Sequence, residues 1–167
     1  MDTAPAADVP IEPAESVPAE VTPDLALLEA YNRRAIDQSG NWFYWIAALS
    51  LINSLILTSG ATWTFVFGLT FTKIVDALAV QYKVVGFAAI ACVGVNVCAV
   101  ATFVLLGYFA RRCNMWAFVT GLILFALDTL LLIASANVYS FVFHAYVIYK
   151  LIGGIMALRR HNQLLAE

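Results

Sequence analysis

The chain has 167 residues, of which 62% are hydrophobic and only 12% are charged, and its net charge is −2. Soluble domains carry about twice this charged fraction, and a mean hydropathy of +0.84 is typical of a membrane protein. A negative net charge excludes nucleic-acid binding by phosphate neutralisation, because that mode needs a basic surface. We therefore expect an all-α integral membrane protein.

The N-terminal segment differs in composition from the rest of the chain. All five prolines lie at or before Pro23, and residues 1–21 carry acidic side chains but no basic ones. Such a sequence buries too little apolar area to offset the entropy of ordering it. It also lacks the positive region and apolar run of a signal peptide. We predict a disordered, acidic, Pro/Ala-rich tail over 1–21.

A short amphipathic helix is predicted over 22–39. Thr22 suits the N-cap and Pro23 suits the first helical position. Gly40 is interpreted as the C-terminal stop of this helix, since glycine commonly ends helices. We expect a cytoplasmic surface helix that leads into the membrane.

Long hydrophobic stretches dominate the remainder of the chain. Each is close to or above the ~17–25 residues that a membrane-spanning helix needs, and none contains proline, so each can form an uninterrupted helix. The prediction is a transmembrane domain over 41–158 built as a four-transmembrane-helix bundle, with a cytoplasmic tail over 159–167. The predicted spans are about 41–58, 84–110, 115–135 and 138–158.

The segment 63–82 is ambiguous. Phe71, Ile74 and Leu78 fall on one helical face, whereas Lys73 and Asp76 lean the other way. This pattern is typical of a helix lying in the membrane interface, with a re-entrant segment or a fifth span as alternatives.

The distribution of basic residues favours four spans. With four spans, three arginine pairs fall on one side of the membrane, and only two lysines between the first two spans fall on the other. The positive-inside rule then predicts a multi-pass protein of the cell membrane with both termini in the cytoplasm. The arginine pairs are Arg33 and Arg34, Arg111 and Arg112, and Arg159 and Arg160.

Cofactor and metal sites are not indicated. The chain has two histidines and three cysteines, with no Cys-x-x-Cys pair, so ligands for haem or a conventional zinc site are lacking. We predict no metal, no cofactor and no catalytic residue.

Polar residues inside the predicted spans are the candidate site, because burying each of them in a bilayer costs free energy. Asn53, Asp128 and His144 lie five to seven residues from the outer ends of their spans, or about 8–10 Å deep. Asp128 and His144 are also equidistant from the turn between the last two spans. They therefore meet if the rotation of each helix points its side chain toward the other helix. Such a pair either fastens the hairpin or forms a proton-titrating or ligand-binding group in an outward-facing cavity.

Three further polar residues are candidates. Lys150 either extends toward phosphate headgroups or faces the bundle. Asn96 is placed near mid-membrane, where an interhelical hydrogen bond is the plain interpretation. Asp76 pairs with Lys73 or covers the layer from outside.

The function predicted from these residues is binding of a lipid, a small hydrophobic ligand or a partner membrane protein at the outward-facing polar layer. One alternative is a subunit of an oligomeric channel or transporter, with Asp128, His144 and Lys150 in the path. A second alternative is an intramembrane enzyme that uses Asp128 and His144 as acid and base.

Overall fold

The computed structural model describes residues 23–59, 68–133 and 138–166. The predicted tail over 1–21 lies outside these residues. Within them the protein is entirely helical, with five helices in chain order. These are α1 (Pro23–Thr58), α2 (Thr70–Gln81), α3 (Phe87–Arg111), α4 (Met115–Ile133) and α5 (Val138–Leu164).

Three of the helices are long and apolar enough to cross a membrane: Phe87–Arg111, Met115–Leu132 and Val138–Leu164. They correspond to the last three predicted spans. The first predicted span, 41–58, forms the second half of α1. The multi-pass character expected from the composition is therefore supported by three helices.

The predicted helix stop at Gly40 is wrong, because α1 runs without a break from Pro23 to Thr58. Gly40 instead permits close packing against the end of α3. A Cβ atom at this position would lie 2.8 Å from Cγ of Arg111, which is too close for real atoms. The glycine therefore serves the contact between α1 and α3.

The helix α5 continues past residue 158, where the last predicted span ends, and extends through Leu164. The last turns of α5 pack against the N-terminal half of α1. Ile36 and Leu158 are fully buried there, and His161 is 8% exposed. Burial of these side chains extends both helices beyond the lengths that hydropathy alone predicts.

The core of the bundle is aromatic and connects α1, α3, α4 and α5. The Phe43 ring lies 5.9 Å from that of Phe118 and 6.3 Å from that of Phe103, measured between centroids. Phe103 meets Phe125 edge to face at 6.4 Å. Phe125 in turn stacks on the His144 imidazole at 4.7 Å, so the core leads directly to the polar residues of the candidate site.

Candidate functional site

The helix α2 turns its polar side into the protein. Thr70, Thr72 and Asp76 are buried, whereas Phe71 and Leu78 are 42% and 47% exposed. This arrangement is the reverse of a surface helix in water, and it suits a helix whose outer face meets hydrocarbon. The helix begins at Thr70, and residues 63–67 of the predicted segment lie outside the described residues.

The N-terminus of α2 is satisfied by side chains of other helices. Its cap residue, Leu69, supplies no side-chain hydrogen bond, and its backbone N–H donates to Ser50 Oγ on α1 at 2.8 Å. The N–H groups of Thr70 and Phe71 donate to the two carboxyl oxygens of Asp128 on α4, each at 2.8 Å. Asp128 thus performs the capping role that a local Ser, Asp or Asn usually plays.

A glycine lets the chain enter this site. Gly68 has φ of +120°, a conformation that side-chain-bearing residues rarely adopt. A Cβ atom here would lie 2.8 Å from Nδ2 of Asn53 and 3.2 Å from the backbone N of Ser50. Gly68 therefore rests directly on α1, and Asn53, 3% exposed, forms part of the surface beneath it.

Asp128 and His144 are in contact. His144 Nε2 lies 3.1 Å from Asp128 Oδ2, and both side chains are less than one-twentieth exposed. His144 Nδ1 donates to the Ser140 carbonyl at 2.7 Å, because a carbonyl only accepts. A proton must therefore lie between Nε2 and Oδ2, giving either an imidazolium with a carboxylate or a neutral pair. Both forms have zero net charge, which limits the cost of burial.

Asp76 is a second carboxylate that joins helices. Ser54 Oγ of α1 donates to Asp76 Oδ2 at 2.6 Å, and Asn96 Nδ2 of α3 donates to Asp76 Oδ1. The interhelical hydrogen bond expected of Asn96 is thus present, with Asp76 as its acceptor. Asp76 ties α2 to α1 and α3, while Asp128 ties α2 to α4 and α5.

We call the residues around the start of α2 the polar layer. It lies inside the bundle, because Asp128 is five residues before the end of α4 and Ser50 is eight residues before the end of α1. These spacings place the start of α2 about 8–12 Å below the ends of its neighbours. The layer consists of Ser50, Asn53, Asp128, His144 and the backbone N–H groups of Leu69, Thr70 and Phe71.

Two apolar grooves flank α2. The α3–α4 groove, of about 520 Å³, is lined largely by aliphatic and phenyl side chains and reaches Asp128. The groove on the other side of α2, of about 390 Å³, lies between α1 and α3 and reaches Asp76 and Asn96. Each groove thus combines an apolar wall with one carboxylate.

Lys73 of α2 is a charged residue close to Asp128. Burial lowers the pKa of the Lys73 ammonium, and the nearby Asp128 carboxylate partly opposes that shift. Lys73 belongs to α2, outside the three helices that are long enough to span a membrane.

Lys150 is not part of the polar layer. Its Nζ lies 5.4 Å from the ring centroid of Tyr146, and it lines a separate groove between α1 and α5. Sequence reasoning placed Asn53, Asp128 and His144 at one level, but it predicted only one of the partners of the Asp128 carboxylate, His144. It did not identify the α2 backbone as the main donor to Asp128. The sequence carries one signal for Ser50, because Ser50, Asn53 and Ser54 recur at three- and four-residue spacing and so share one face of α1.

Among the described residues, no group of three or more His, Cys, Asp or Glu side chains is arranged to hold a metal ion. Comparison with known proteins finds no match to a family model, to a curated protein or to a solved structure.

Proposed function

We propose that the chain is a four-span protein of the cell membrane that binds a hydrophobic ligand beside α2, in the outer half of the bilayer. The second half of α1 supplies the first span in this arrangement. Exposed apolar side chains on it support contact with lipid, including Leu51 at 46% and Leu55 at 61% exposure. The arginines at the α3–α4 turn and at the end of α5 then share the cytoplasmic side with both termini.

In this arrangement α2 is a re-entrant helix. Its 12 residues extend about 18 Å, which is too short for the ~30 Å hydrocarbon core. Its first turn lies below the helix ends, and irregular backbone at that depth needs internal hydrogen-bond partners. Asp128 and Ser50 supply those partners, which supports a fixed position for α2 in the outer leaflet.

The α3–α4 groove is the proposed ligand site, and its combination of apolar walls with Asp128 carries the proposal. A volume of about 520 Å³ lies in the usual range for small-ligand sites, which are mostly apolar with a few polar groups. Two carboxylate oxygens offer about four acceptor positions. Among the described residues, contacts with Thr70, Phe71 and His144 occupy three of these positions, which leaves one on Oδ1. The ligand class is a lipid or small hydrophobic molecule with a hydroxyl or other hydrogen-bond donor.

Photolabelling tests this proposal. The full chain in lipid nanodiscs is exposed to a long-chain alcohol that carries a diazirine, and the labelled residues are mapped by mass spectrometry. We expect labelling to concentrate on Leu127 and Leu131, which line the groove. The alkane analogue without the hydroxyl should label them less, because it has no donor for Asp128.

A matched pair of variants provides the control. Leu127→Trp fills the groove and should reduce labelling at Leu131 several-fold. Ile123→Trp places the same side chain one turn away, at a 55% exposed position outside the groove lining, and should leave labelling unchanged. Equal labelling over all exposed apolar faces, with no effect of Leu127→Trp, would overturn the proposal.

The conducting alternative needs Lys150 in one path with Asp128 and His144. The position of Lys150 in a different groove gives that alternative no support. The enzymatic alternative stays a prediction.

A further inference from the structure

A third groove lies between α1 and α5 and is independent of the polar layer. This α1–α5 groove has a volume of about 530 Å³. Its middle is the point where the two helices touch, since a Cβ atom at Gly154 would lie 2.6 Å from Cβ of Ser39. The next residue of α1, Gly40, packs on the last residue of α3, Arg111. The groove is therefore centred at the level of the α3–α4 turn.

The charged groups of the groove are both cations. Lys150 and Arg160 line it, and no acidic residue is found among the described lining residues. Lys150 lies four residues before Gly154 and Arg160 six residues after it, or about 6 Å and 9 Å along the axis. Both residues line the groove although ten positions separate them, so their long side chains can extend into it from opposite ends. An anion there would be attracted from both ends.

Aromatic side chains from both helices line one end of the groove. Trp42 meets Tyr146 edge to face at 5.2 Å between centroids, and Lys150 sits over the same tyrosine ring. Trp45 and Tyr149 also line the groove and are 60% and 67% exposed. Tryptophan and tyrosine favour the level of lipid headgroups, where one end of the ring is apolar and the other is wet.

An unpaired buried carboxamide lies in the lining of the groove. Asn32 is 1% exposed, and neither its Oδ1 nor its Nδ2 has a hydrogen-bond partner among the described residues. Leaving both atoms unpaired is costly, which points to a polar group supplied from outside the chain. The same groove has open space at Gly153, where an added Cβ would meet no atom within 4 Å.

We propose that the α1–α5 groove binds an anionic phosphate group. In this site Lys150 and Arg160 contact the phosphate oxygens, and the Asn32 amide donates a hydrogen bond to the phosphate. The absence of a side chain at Gly153 provides the space for it. The phosphate comes either from the headgroup of an anionic phospholipid, whose chains run past Trp45 and Tyr149, or from a soluble phosphate ester. The proposal does not depend on the α3–α4 groove, so each can fail without the other.

Lipid retention distinguishes the two sources. The full chain, purified in mild detergent, is incubated with equal amounts of phosphatidylglycerol and phosphatidylcholine, and bound lipid is measured by native mass spectrometry. We expect preferential retention of phosphatidylglycerol, because choline neutralises the phosphate of the other lipid. In a parallel arm without lipid, millimolar glycerol 3-phosphate is tested for an increase in Tm. Retention identifies a lipid headgroup and a Tm increase identifies a soluble ester; the absence of both overturns the proposal.

Variants locate the binding in the groove. The double variant Lys150→Met, Arg160→Gln should reduce binding about 25-fold, since each cation near a phosphate contributes about fivefold. Gly153→Leu should fill the space without changing charge and should also abolish binding. Arg159→Gln removes the neighbouring exposed cation, which does not line the groove, and should leave binding within about twofold. An equal loss of binding in Arg159→Gln would mean nonspecific charge attraction and would contradict the proposed site. Circular dichroism checks that each variant is folded.

Discussion

Replacing Asp128 should release the first turn of α2. In Asp128→Asn, one carboxyl oxygen becomes an NH₂ group, which in either orientation faces the backbone N–H of Thr70 or of Phe71. One of the two hydrogen bonds, each 2.8 Å long, is therefore lost. A buried donor without a partner costs about 1–3 kcal/mol. Asp128→Leu loses both bonds and should cost about 2–6 kcal/mol by the same reasoning.

Hydrogen exchange of the backbone amides measures this effect directly, because the affected donors are themselves the exchanging groups. For the full chain in nanodiscs, we expect Asp128→Asn to speed exchange at residues 69–73 by about 5- to 150-fold, the factor that corresponds to 1–3 kcal/mol. The control is Asp37→Asn, since Asp37 is a partly exposed residue 3.7 Å from Arg33 and Arg111, where an ion pair contributes little. Unchanged exchange in both Asp128 variants would refute the conclusion that Asp128 holds α2.

Two adjacent glycines and the topology give further predictions. Gly154→Ala should destabilise the protein by about 1–3 kcal/mol, because its Cβ would lie 2.6 Å from Ser39 Cβ and from Phe118 Cε1; Gly153→Ala should be neutral or stabilising by up to about 1 kcal/mol. Chemical denaturation measures both, and equal effects would contradict the packing argument. Topology is tested with single cysteines introduced into a variant without native cysteines. An impermeant thiol reagent added from outside should label position 82 but not positions 34, 112 and 162, which are predicted to be cytoplasmic. Any other pattern would contradict the four-span topology. The substitutions are Arg34→Cys, Tyr82→Cys, Arg112→Cys and Asn162→Cys.

The helical segments of the last three spans were predictable because hydrophobic length is a local property of the sequence. The ends of helices were less predictable. Gly40 is a common kind of helix terminator, yet α1 continues through it because packing against Arg111 uses the missing side chain. The helical end of α5 beyond residue 158 likewise depends on burial of Leu158 and His161 against α1. Gly40 and Arg111 are 71 positions apart, and Leu158 lies at least 100 positions from every residue of α1, so no local pattern reveals these contacts.

The candidate site was likewise predictable from the sequence only in part. The depth of Asp128 and His144 followed from counting residues along two antiparallel helices, and the structure brings them to 3.1 Å. The other partners of Asp128 are backbone N–H groups of α2, and no side-chain pattern marks a backbone donor. The pairing of Asp76 with Asn96 across 20 residues was also out of reach, since it depends on the rotation of both helices.

The low charge and the long apolar stretches by themselves predicted a helical membrane protein, which three helices long and apolar enough to span a membrane support. They also indicated that each polar residue left in the apolar segments needs an explanation. Only the tertiary structure decided what those residues contact. Asp128 and Asp76 hold a short helix whose first turn is buried, and Lys150 belongs to a different groove with Asn32. The physical reason is that the cost of burying a polar group depends on its type, whereas its partner depends on helix rotation and on backbone that comes from elsewhere in the chain.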